Sequence, residues 1–62
     1  MLEYVLEARD GNGRSNPAKF KAANNQEAGW RAENILEDRF DASQIDHVDW
    51  EEYKRGFRLR RA

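Results

Sequence analysis

Cysteine and threonine are absent from this 62-residue chain, proline and histidine occur once each, and the aliphatic runs are pairs such as Val5-Leu6. Without cysteine there is no disulfide, no thiolate nucleophile and no cysteine-based zinc site. Without a long apolar run there is no membrane-spanning helix, and Met1 leads straight into a patterned segment with no basic or apolar leader region. The expectation is a soluble, cytoplasmic protein with no membrane partner. The chain is near the lower size limit for a single domain, with 39% hydrophobic and 37% charged residues. Its core is therefore small, and stability rests on packing, local propensity or self-association, so monomer and homodimer both stay open.

The scarcity extends to catalytic groups. Ser15 and Ser43 are the only hydroxyl nucleophiles besides tyrosine, and neither lies in a recognisable motif. His47, between Asp46 and Asp49, is a general base in principle, but successive residues of a strand diverge to opposite faces, so these three do not converge on a metal. Gly11-Asn12-Gly13 is not followed by a Lys-Ser/Thr pair and precedes a strand, so its glycines read as turn residues. The expectation is no enzyme: no catalytic residue, no metal and no cofactor.

Charge is plentiful and segregated. The net charge is −1, yet residues 33 to 52 carry eight acids against Arg39 alone, whereas Lys54, Arg55, Arg58, Arg60 and Arg61 form an acid-free basic end. Such asymmetry bears on partners. One reading has the basic end fold back to neutralise the acidic segment.

Leu2, Tyr4, Leu6 and Ala8 alternate with Glu3, Glu7 and Arg9, the pattern of a half-buried strand. Asp10-Gly11-Asn12-Gly13 reads as a hairpin turn into a second strand of Ala18, Phe20 and Ala22, with Lys19 and Lys21 outward and Pro17 at its start. Two registers pair opposite charges: one sets Leu6 opposite Phe20 and Glu7 opposite Lys19, and a two-residue slip sets Glu3 opposite Lys21. Asn24 followed by Glu27 predicts a helix start, and Ala28, Ala32, Ile35, Leu36 and Phe40 recur on one face, placing a helix over residues 25–39. Ile45, Val48 and Trp50 suggest a third strand over 45–50, although the odd spacing of Ile45 and Val48 requires a bulge. Beyond it two readings compete. Asp49 with Glu52 and Gly56 suggest a short helix, whereas a turn at 54–56 leads into a strand in which Phe57 and Leu59 alternate with Arg58 and Arg60, the reading we favour.

The expected fold is a single α+β domain over residues 1–62: a three- or four-stranded antiparallel sheet with one helix on one face, ordered ββαβ(β). Its expected core is Leu2, Tyr4, Leu6, Phe20, Ala22, Ala28, Ala32, Ile35, Leu36, Phe40, Val48 and Trp50.

On the helical wheel Trp30 lies about 160° from the centre of the apolar face, with Glu33, Glu37 and Asp41 around it. An exposed tryptophan framed by acids is a candidate anchor for a protein partner. The alternative is that the C-terminal segment covers it or that the helix is rotated. The acidic row would imitate a phosphate backbone and occupy a basic groove on a nucleic-acid enzyme. The runner-up is nucleic-acid binding through Arg55, Arg58, Arg60 and Arg61, set against a pI near 5.8. A third reading is an assembly protein that dimerises along an open sheet edge.

Residues 20–33, Phe-Lys-Ala-Ala-Asn-Asn-Gln-Glu-Ala-Gly-Trp-Arg-Ala-Glu, followed by Ile-Asp-His-Val-Asp-Trp at 45–50, resemble a strand-helix-strand pattern of small phage-encoded proteins. These include inhibitors of host RNA polymerase and anti-CRISPR proteins. The likeness covers about half the chain, and the basic C-terminal run departs from it. It implies a non-enzymatic viral protein, acting in the host cytoplasm, that binds a host protein or complex through an acidic surface and inhibits it.

Overall fold

The computed structural model describes residues 1–9 and 16–62. The expected Asp10-Gly11-Asn12-Gly13 turn lies outside the described residues. The elements are β1 (Leu2–Ala8), β2 (Ala18–Ala22), α1 (Asn25–Ser43), α2 (Trp50–Arg55) and β3 (Phe57–Arg61). They form a three-stranded antiparallel sheet in the order β2-β1-β3, with the main helix packed on one face.

β1 is the central strand, and its middle residues Tyr4, Val5 and Leu6 are 2%, 5% and 2% exposed. Its register with β2 sets Glu3 opposite Lys21 and Leu6 opposite Ala18, so the slipped alternative of the two charge-pairing registers is the one adopted. Across the other edge Leu6 faces Leu59, Glu7 faces Arg58 and Val5 faces Arg60. Tyr4, Leu6, Phe20, Ala22, Phe57 and Leu59 thus share the face covered by helix, joined there by Ala28, Ala32 and Leu36. The Tyr4 and Phe20 rings stack at 5.9 Å, and the Tyr4 hydroxyl donates to Asn25 Oδ1 at 2.6 Å, tying the sheet to the first turn of α1.

α1 starts where its cap predicts. Asn24 Oδ1 accepts from the Glu27 amide at 2.8 Å, while Glu27 Oε1 accepts from the Ala23 amide at 3.2 Å. The helix continues four residues past the expected 39, because no glycine or proline falls between 40 and 43 and Ser43 Oγ donates to the Phe40 carbonyl. It ends at Gln44 in a left-handed conformation, φ 53°.

The expected strand over 45–50 is not formed. Residues 45–49 are irregular, and Trp50 opens α2 instead. The odd Ile45–Val48 spacing is unfavourable for one strand face, whereas Asp49 Oδ1 accepts from the Glu52 amide at 2.8 Å and so rewards a helix start. The two competing readings of the C-terminal segment both describe part of it: α2 occupies 50–55 and β3 follows directly. The strand expected over 45–50, on which the resemblance drew, is therefore absent; the strand that follows the helical segment is Phe57–Arg61.

A six-residue helix cannot hold itself together. α2 is held by aromatic packing: Phe40 meets Trp50 edge-on at 5.6 Å and Tyr53 at 5.1 Å, and Tyr53 meets Phe57 at 5.1 Å. Desolvation in this cluster pushes the Tyr53 hydroxyl above its ordinary 10.0, with the Arg39 charge acting in the opposite direction.

Candidate functional site

The outer face of α1 carries Trp30, Glu33, Glu37 and Asp41, all exposed. Trp30 is 62% exposed, whereas every other aromatic among the described residues is buried or half-buried. The four positions follow one stripe along the helix, about 16 Å from first to last at 1.5 Å per residue. Gly29 borders this stripe on the flank of Glu33, four residues before it, and a Cβ built there meets nothing within 4 Å.

The acids of the stripe differ in their surroundings. Glu33 lies 3.6 Å from Lys54 Nζ, which also approaches Glu51 at 3.4 Å and sits 5.1 Å from the Trp50 ring centroid. Glu37 and Asp41, with neighbouring Asp38, meet no cation among the described residues. Glu27, at the N-terminal end, is paired with Arg31 at 3.1 Å. The basic end of the chain thus neutralises the acidic segment only at Lys54.

Its arginines go elsewhere, and not to one place. Arg58 and Arg60 lie on the sheet face opposite the helix, where Glu7 Oε1 accepts from Arg58 Nη2 and from Arg60 Nε, each at 2.9 Å. Those two bonds hold the Glu7 carboxyl below its ordinary 4.5. Arg55 ends α2, and Arg61 falls on the opposite parity from Arg58 and Arg60, opposite Tyr4. The runner-up set is therefore divided among three surfaces.

Lys19 and Lys21 complete the open sheet face, as the register across β1 makes plain: Glu3 lies opposite Lys21, and Val5 lies between Lys19 and Arg60. These lysines were outward in the strand alternation, but which strand would stand beyond β1, and hence that Arg58 and Arg60 join them, needed the strand order. His47 is exposed in the irregular segment, with Asp46 and Asp49. No helix among the described residues is long and apolar enough to cross a membrane. Comparison with protein-family models, curated proteins and solved structures finds no match.

Proposed function

We propose that this chain is a non-enzymatic protein-binding module of inhibitor type, whose α1 stripe of Trp30, Glu33, Glu37 and Asp41 occupies a basic, nucleic-acid-binding groove of a host machine. The observation that carries this reading is the 62% exposure of Trp30 within an acidic row on a rigid, capped helix. Tryptophan is the residue type most enriched among interface hot spots, and a surrounding acidic row adds steering toward a cationic partner. Gly29 agrees with it: an exposed glycine inside a helix costs stability, and the open space beside it would admit the backbone of a partner seated on Trp30.

The test is capture from nuclease-treated bacterial lysate, followed by affinity measurements on the purified partner. One stoichiometric protein is expected, lost with a folded Trp30→Ala variant by about thirtyfold or more in affinity. Combined Glu33→Gln, Glu37→Gln and Asp41→Asn should weaken the same complex and remove most of its salt dependence. A partner indifferent to both changes would overturn the reading.

A further inference from the structure

Among the described residues no helix or strand covers the sheet face opposite α1, and the composition of that face is unusual. β2 contributes Lys19 and Lys21, β3 contributes Arg58 and Arg60, and β1 places Glu3, Val5 and Glu7 between them. From these placements we infer that this face is a second binding surface, specific for the phosphate backbone of nucleic acid. This inference does not rest on the helix stripe and uses none of its residues.

Spacing is the first argument. Residues two apart on a strand are about 6.8 Å apart, and β2 and β3 stand about 10 Å apart across β1. Two rows of cations therefore run parallel, with a repeat of the order of successive phosphates along a strand. The carboxylates between them offset part of that charge, Glu7 through Arg58 and Arg60 and Glu3 from its place opposite Lys21, but four cations against two acids leave the face net positive.

Glu7 also orients its arginines. A guanidinium has five N–H donors. Glu7 takes one from Arg58 and the Nε donor of Arg60, and Arg60 Nη1 reaches the Arg61 carbonyl at 3.5 Å. The remaining donors are held in place rather than free to rotate, which lowers the entropy lost when a phosphate is bound. At the other end of the face, a shallow depression of about 130 Å³ is lined by Glu3, Lys19 and Lys21, with Tyr4, Phe20 and Ala62.

What the face lacks selects the occupant. Its one apolar side chain, Val5, is only 5% exposed, so there is no hydrophobic centre for a protein partner and nothing to insert among lipid tails. No aromatic projects from it for base stacking, so binding is through phosphates and indifferent to base sequence.

The test is fluorescence anisotropy with a labelled single-stranded DNA of about 20 nucleotides, titrated with the full chain at several salt concentrations. Four phosphate contacts give a log–log salt slope of about −2.8, or about a fiftyfold loss of affinity between about 50 and 200 mM salt. Lys19→Gln with Lys21→Gln should halve the slope, to about a sevenfold loss over the same range, and weaken binding at low salt. Lys19→Arg with Lys21→Arg should retain binding, which separates loss of charge from loss of fold. A second oligonucleotide of different base composition should bind equally. Absence of saturable binding at low salt, binding unaffected by the glutamine pair, or capture by phosphatidylserine vesicles without capture of DNA would each overturn the inference.

Discussion

Single side chains here divide sharply between those that serve the fold and those that do not, and Gly29 shows the division most directly. It is exposed within α1, and a methyl group there would meet nothing within 4 Å. Gly29→Ala should therefore stabilise the chain by about 0.5–1 kcal/mol, through reduced freedom of the unfolded backbone, raising the melting temperature by a few degrees. If the open space beside Gly29 receives a partner, the same change should weaken that complex while strengthening the fold. Glu7 provides a matched electrostatic case. Its carboxyl is held below 4.5 by the hydrogen bonds from Arg58 and Arg60. A depressed folded-state value contributes stability above 4.5 that is lost as pH falls through the lower folded value. Thermal denaturation followed from neutral pH down through that range should show the loss, and Glu7→Gln should flatten this part of the profile. An unchanged acid profile would mean that solvent screening leaves the Glu7 cluster with no net effect on folding.

At the scale of elements, the two tryptophans make opposite predictions although both sit on helices. Trp50 packs against Phe40 and Tyr53 and is half-buried, so Trp50→Ala should cost about 2 kcal/mol, less than the roughly 3–5 of a fully buried aromatic. Trp30→Ala should stay within about 0.5 kcal/mol of the parent, as surface substitutions do. Urea unfolding of both variants checks the pair; equal costs would mean that α1 is rotated from the arrangement described. The same elements explain what was legible beforehand. β1, β2 and the start of α1 follow from local rules, namely alternation in Leu2–Ala8 and the Asn24 cap on the Glu27 amide, and local rules need no knowledge of strand order. Trp30 was legible for the same reason, since its angle from the Ala28, Ala32 and Leu36 face is a property of one helix. Residues 45–50 misled because Ile45, Val48 and Trp50 have strand-like composition, while the Asp49 cap that decided the matter spans only four residues. Val5 was missed because it faces outward by alternation, yet it is 5% exposed, with Lys19 and Arg60 opposite it on the two flanking strands. The cation rows were illegible because they join residues about forty positions apart across a strand.

The whole molecule is electrically two-sided, with acids on the helix layer and cation rows on the open sheet face, and this makes the two proposed surfaces separable. Its shortest principal dimension is 16 Å, about two Debye lengths at physiological salt. Charge removed from one side should therefore be felt weakly on the other. The combined Glu33→Gln, Glu37→Gln and Asp41→Asn variant changes the net charge from −1 to +2, which on net charge alone should strengthen nucleic-acid binding markedly. If the faces are independent, its affinity for a single strand should rise by less than about threefold at physiological salt, where each face is screened from the other. Near 10 mM salt, where the Debye length of about 30 Å exceeds the molecule's shortest dimension, the gain should become several times larger. A gain above about tenfold at physiological salt would mean that the acidic stripe and the cation rows act on one ligand site, because only charges within about a Debye length of the bound phosphates retain that influence.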